Sequence, residues 1–183
     1  IRALREPGAM DLVATHPACG VCLMHMHRDP QTMQVAPMEG DVVTVVRDVL
    51  SMAAKQAVSR GVSAARIVLD PGIGFGKTVA QNFSLLARQA ELLEAGFPLL
   101  AGWSRKSSLG AVAARNGHMP EPGQRLGASV AAAVLAAERG ARVLRVHDVR
   151  ETVQALAVWS AVREQATRNN HFLVAEKDQG TLG

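Results

Sequence analysis

Four short apolar runs, each followed by a segment with helical spacing, limit what this chain can fold into. The runs occupy residues 21–26 (VCLMHM), 66–69 (RIVL), 97–102 (FPLLAG) and 142–147 (RVLRVH). Each is shorter than a stable helix and is bounded by turn residues or polar segments, so each is predicted to be a buried strand. The intervening segments are longer and striped. Over residues 42–60, Val42, Val45, Val46, Val49, Leu50, Ala53 and Ala57 share one side, with Asp41 placed to cap the start and Gly61 to end it. Helices are likewise predicted over 9–15, 83–95 behind Asn82 as cap, 109–115, 126–139 and 148–166. Strands alternating with helices in this way call for a parallel sheet with right-handed crossovers.

Four parallel strands suit either a small open sheet or half of an eight-stranded barrel, which takes about 250 residues. The 183 residues begin with a helix and with Ile1 rather than Met, and both facts favour the half barrel. Low-complexity linkers are absent, so one domain is expected over residues 1–166, with 167–183 as a flexible polar tail.

Composition excludes some classes of function. Aromatic residues are few (two Trp, four Phe, no Tyr), which is too sparse for a base-stacking nucleic-acid platform. The formal charge is +4, yet no block of five like charges suits nucleic acid. No run of 18 apolar residues predicts a membrane span. Cys19 and Cys22 are the only cysteines; they are read as small core residues of a cytoplasmic protein.

The residues with chemistry gather at or just past the carboxyl ends of the strands, where α/β folds hold their ligands. Met24 and His25 end the first run. Asp70 ends the second and opens a loop in which Gly72, Gly74 and Gly76 alternate with Ile73, Phe75 and Lys77. This loop is not a phosphate-binding GxxxxGK[ST] motif, because Pro71 stands where its first glycine belongs, and the GxGxxG spacing also fails. His25 and His27 lack a further ligand cluster, so zinc is not expected. After the third run, Ser104, Arg105, Lys106 and Ser107 bring two cations and two hydroxyls together as an anion cradle. Arg145 and His147, two apart on the fourth strand, point to the same face and suit a phosphate or pyrophosphate.

LDPGIGFGK at 69–77, SRKS at 104–107 and RVHDV at 145–149 together resemble the dihydropteroate synthase family, as does CLMHMHRDPQTMQ at 22–34. The likeness runs in order from residue 1 to about residue 166. It implies a TIM (β/α)8 barrel of which this chain carries about the last four β/α units. It also implies the condensation of 6-hydroxymethyl-7,8-dihydropterin pyrophosphate with p-aminobenzoate, giving 7,8-dihydropteroate and pyrophosphate. On that resemblance Asp70 binds the pterin ring, and Met24 and Gly74 line its pocket. Lys106 contacts the pterin carbonyl, Phe75 and Ser107 border the aminobenzoate, and Arg145 and His147 hold the pyrophosphate. Lys106, Arg145 and His147 are thereby the expected catalytic residues. Mg²⁺ is the implied cofactor, with its asparagine ligand upstream of this chain, and a homodimer the implied assembly. The first four strands of the family are missing, so the chain by itself is expected to be inactive or poorly folded. Two alternatives stand beside this reading: a non-catalytic fragment or partner subunit, and a pterin-binding methyltransferase, against which the SRKS and RVHDV runs argue.

Overall fold

The computed structural model describes residues 4, 6–27 and 38–179, with side chains as far as residue 166. Residues 28–34 of the CLMHMHRDPQTMQ stretch and residues 180–183 of the expected tail lie outside the described residues. Among the described residues four parallel strands form one sheet: β1 Val21–Met24, β2 Ile67–Asp70, β3 Leu99–Ala101 and β4 Ala141–Leu144. They lie in the order β1-β2-β3-β4, each paired with the next in sequence. A doubly wound sheet reverses its strand order at a switch point. This sheet has no reversal, so right-handed crossovers put successive helices on the same face, as in a segment of a barrel.

The helices are α1 Ala9–Thr15, α2 Val42–Ser59, α3 Val79–Ala87, α4 Gln89–Leu93, α5 Ser107–Ala113, α6 Leu126–Glu138 and α7 Val149–Gln179. Asp41 caps α2 as expected: its carboxylate accepts the Val43 N–H at 3.2 Å and the Thr44 hydroxyl at 2.7 Å. Arg88 closes on the same carboxylate at 2.7 and 2.9 Å and ties α2 to the α3–α4 junction. The core fills the space between one sheet face and the helices. Leu23, Ile67, Leu69 and Leu99 point into it from the strands, and Val43, Val46, Leu50, Leu85, Leu92 and Ala136 meet them.

The other face of the sheet is largely uncovered. Cys22 and Val143 are exposed, and Met24, Val68 and Leu100 are half-buried. The strands are therefore buried on one side only, which corrects the expectation of fully buried strands. It also corrects the two cysteines, both of which are exposed. Cys22 alternates with Val21 and Leu23 and so points away from the helices.

Helix boundaries also differ, and the helix predicted over 83–95 is broken at Arg88 into α3 and α4. The third predicted helix begins earlier, at Val79, because Thr78 and Gln81 form a reciprocal capping box. Asn82 is thus a buried residue within α3 rather than its cap. The last helix extends to Gln179, past its predicted end at residue 166. The residues from 149 to 179 include no Gly or Pro, so nothing in the backbone stops it.

The turn after β2 demands glycine. Gly72 has φ +67°, and a Cβ there would stand 1.8 Å from the His25 carbonyl oxygen. Gly96 has φ +80° with nothing within 4 Å of such a Cβ. Gly96→Ala is expected to cost about 1 kcal/mol from backbone strain alone. Gly72→Ala is expected to cost about 3 kcal/mol or more, since the sheet backbone must also shift. Urea denaturation of both variants checks the order, and equal losses would contradict it.

Candidate active site

Asp70 is the last residue of β2 and only 4% exposed. Its Oδ1 accepts the Gly72 N–H at 2.7 Å. The loop then folds back on itself, the Phe75 N–H bonding the Gly72 carbonyl at 3.1 Å. Asn82 reaches back from α3 to the same loop. Its Oδ1 accepts the Gly74 N–H at 2.9 Å, and its amide donates to the Thr78 carbonyl and to Ser108 Oγ, both at 2.9 Å. One buried amide therefore joins the loop, α3 and α5. Sequence signals did not mark it, because its position read as a helix cap.

Lys77 turns inward beneath this loop. Its ammonium donates to the Gly72 carbonyl at 2.9 Å and the Phe75 carbonyl at 3.2 Å, and lies 3.0 Å from His25 Nδ1. In its ammonium form Lys77 can only donate, so Nδ1 then accepts and the neutral ring carries its proton on Nε2. Burial, with the Lys77 charge second, pushes the His25 pKa down to about 3. Burial likewise lowers Lys77 to about 7. Burial pushes the Asp70 carboxyl above its ordinary range, opposed by the Gly72 N–H and by Arg145.

The basic half of the site follows β3 and β4. Lys106 Nζ sits 4.2 Å over the Phe75 ring, a cation–π contact. A Cβ at Gly74 would lie 3.4 Å from Lys106 Cδ, so the loop passes close under that side chain. Burial and the charge of Arg145 lower the Lys106 pKa. Ser104 Oγ accepts the His147 N–H at 3.2 Å and lies 2.9 Å from His147 Nδ1. Arg145 is 61% exposed at its side chain, and its Nη2 stands 4.0 Å from Asp70 Oδ2. It packs where a side chain on Gly102 would collide, 2.9 Å from the position of a Cβ. Gly102, Ser104, Lys106, Arg145, Val146 and His147 line a cleft of about 190 Å³. Hollows of about 560 and 430 Å³ lie along α2 and between α2 and residues 4–11, and neither contains a residue from the strand ends.

The structure thus brings Asp70, Gly74, Phe75, Lys106, Arg145 and His147 into one neighbourhood. Met24 pairs in register with Asp70 at the end of β1. Two members of the expected anion cradle are diverted. Arg105 takes φ +60° and turns its guanidinium to Asp148 at 2.7 and 3.3 Å. Its N–H goes to Ser129 and its carbonyl to Arg125, so the start of α6 holds the turn. Ser107 is exposed at the start of α5 and does not line the cleft.

The two lowered pKa values set a pH dependence of stability. Between about 3 and 6.5 the unfolded chain binds a proton at His25 that the folded chain refuses. Between about 7 and 10.5 the same holds for Lys77. In each window the unfolded state carries more protons, so folding stability rises with pH. Denaturation midpoints measured from pH 5 to 9.5 are expected to climb through neutrality, and the upper rise is expected to vanish in Lys77→Met. A flat profile, or one unchanged in that variant, would contradict this.

The pterin-binding enzyme family matches residues 1–147. Dihydropteroate synthase of Escherichia coli strain K12 is 44% identical over 161 residues, covering 88% of this chain and 55% of that protein. The Yersinia pestis dihydropteroate synthase, crystallised with a sulfonamide drug, superposes with a TM-score of 0.82 at 42% identity. It covers 90% of this chain and 58% of that one. The Xanthomonas albilineans enzyme in complex with 7,8-dihydropteroate gives a TM-score of 0.78 at 46% identity, over 89% of this chain and 59% of that one. The chain spans a little over half the length of these relatives. With four consecutive β/α units in the barrel order and a family match over residues 1–147, the chain belongs to the pterin-binding enzyme family, of TIM-barrel fold.

Proposed function

We propose that this chain supplies the C-terminal half of a dihydropteroate synthase. The reaction joins 6-hydroxymethyl-7,8-dihydropterin pyrophosphate to p-aminobenzoate, giving 7,8-dihydropteroate and pyrophosphate. One observation carries this reading: a buried carboxylate and a cationic cleft are bridged by Arg145, which approaches Asp70 and lines the cleft. Asp70 Oδ1 takes one bond from Gly72, and its second lone pair together with Oδ2 is left to accept the paired N–H donors of a pterin edge. Met24 and Gly74 line that pocket. Lys106, stacked on Phe75, donates to the pterin carbonyl, and Phe75 and Ser107 border the aminobenzoate.

The chemistry is a dissociative displacement. The bond from the pterin methylene to the pyrophosphate oxygen breaks, and its electron pair leaves with the pyrophosphate. The cation left on the methylene spreads into the pterin ring. The aniline nitrogen attacks it with its lone pair and then loses a proton. Arg145 and His147 stabilise the departing charge. His147 meets it through Nε2, because Nδ1 is engaged with Ser104. Loss of one such preorganised contact raises a barrier by about 3 kcal/mol.

Mg²⁺ belongs to the reaction expected from the resemblance, but the residues here do not fit it. Among the described residues no three His, Cys, Asp or Glu side chains stand together, and the cleft is lined by cations rather than carboxylates. No step is therefore assigned to it in this chain. The uncovered sheet face supports a further part of the proposal, that the rest of a barrel completes the pocket and that this chain by itself is inactive. A homodimer is proposed as well, supported by exposed Val149, Val153, Val158 and Val162 along α7. The setting is proposed to be cytoplasmic. No helix among the described residues is long and apolar enough to cross a membrane.

Calorimetric titration with the pterin pyrophosphate is expected to show Asp70→Ala binding about 10- to 100-fold more weakly than wild type. Equal affinity would remove Asp70 from the pterin site. Turnover is expected to be absent with this chain alone and to appear when the N-terminal half of the E. coli relative is added in trans. Turnover by the isolated chain would overturn the half-pocket reading, and none in the mixture would favour a non-catalytic subunit.

A further inference from the structure

We propose that Lys77 is a positioning residue of the pterin site, acting through the loop that carries Gly72 and Phe75; this rests on the reading of Asp70 as the pterin anchor. A lysine in an open glycine loop ordinarily extends its charge to water. This one is buried, 6% exposed, and does not line the cleft. Its three N–H bonds meet three acceptors: the Gly72 carbonyl, the Phe75 carbonyl and His25 Nδ1.

The two carbonyls belong to the first and last residues of one turn, already closed by the Phe75 N–H on the Gly72 carbonyl. Lys77 therefore grips both ends of that turn from beneath. At the first end, the Gly72 N–H is aimed at Asp70 Oδ1. At the last end, the Phe75 ring is set under Lys106. The third acceptor belongs to another strand end. His25 follows β1, and its backbone N–H bonds the Asp70 carbonyl at 2.9 Å. Lys77 thus locks the ends of β1 and β2 together around the carboxylate. The charged and titratable groups that act on this pair are Asp70 at the end of β2, Lys106 before α5, and His27 beyond β1. From α3, the neutral Asn82 amide holds the loop's remaining Gly74 N–H. Lys77 acts on the substrate only through these backbone groups.

The test compares wild type, Lys77→Met and Leu50→Ala. Methionine keeps the length of the side chain and removes every donor. Leu50 lies in α2, within the core, and serves as a control for general loss of stability. Three signals are read: the His25 ring pKa by ¹⁵N NMR, the upfield ring-current shift of the Lys106 methylenes over Phe75, and the affinity for 6-hydroxymethylpterin. In Lys77→Met the His25 pKa is expected to climb from about 3, while staying below 6.5 because burial remains. The ring-current shift is expected to shrink and the pterin affinity to fall about tenfold. Leu50→Ala is expected to lower stability and leave all three signals in place. Unchanged signals in Lys77→Met would overturn the proposal, as would equal loss of affinity in Leu50→Ala. If wild type binds no pterin, the reading of Asp70 fails, and the two NMR signals decide the role of Lys77 by themselves. Should Lys77→Met not fold, Lys77→Gln keeps a shorter amide donor and is expected to fall between the two; wild-type signals in it would overturn the proposal.

Discussion

A buried ammonium beneath a glycine turn is the constraint on which the rest of this site depends. Taking a lysine out of water is costly unless each donor finds a partner. Lys77 finds three, and two of them are the backbone carbonyls that define the turn. Two N–H groups of the loop are met from inside as well, Gly74 by Asn82 and Gly72 by Asp70. Inward hydrogen bonding leaves the outward edges of Asp70, Phe75 and Lys106 available to a ligand. It also explains why the turn tolerates no side chain at Gly72, where the His25 carbonyl already fills the space.

The sheet imposes the second condition. Parallel strands ordinarily have both faces covered. Here the helices cover one face, and Cys22, Met24, Val68, Leu100 and Val143 lie on the other. That side lies next to Asp70 and Arg145, so any element that covers it also encloses the pocket. In the proposed barrel, the groups that would complete the core stand beside those that would complete the site. The cross-links between neighbouring loops serve the same end. Ser104 ties the β3 loop to His147, and Arg105 ties it to Asp148. The two loops of the proposed pyrophosphate site are therefore cross-linked to each other.

Much of this was legible in the sequence, for physical reasons. The alternation of short apolar runs with striped segments marked all four strands and most helices. The carboxyl ends of those strands pointed to Asp70, Lys106, Arg145 and His147, because parallel sheets gather their chemistry at one end. What was not legible depends on facing and partnership. A run such as VCLM is apolar throughout, so nothing in it tells that Cys22 faces away from the helices. Arg105 and Lys106 are adjacent cations, yet only the left-handed turn at Arg105 sends one to Asp148 and the other to the pocket. Lys77 stood in the sequence only as one residue of the glycine loop, and its inward path ends on His25, 52 positions away. Asn82 has the residue type of a helix cap, but the Thr78–Gln81 box claims that role. The length of α7, by contrast, was available in the sequence as a stretch free of Gly and Pro.

The most direct test of the central claim is a crystal structure with the pterin pyrophosphate bound. The ring's N–H edge is expected within hydrogen-bond distance of Asp70 Oδ2, and the pyrophosphate in the cleft between Ser104, Lys106, Arg145 and His147. A pterin seated away from Asp70, or a pyrophosphate that leaves Arg145 and His147 untouched, would contradict it.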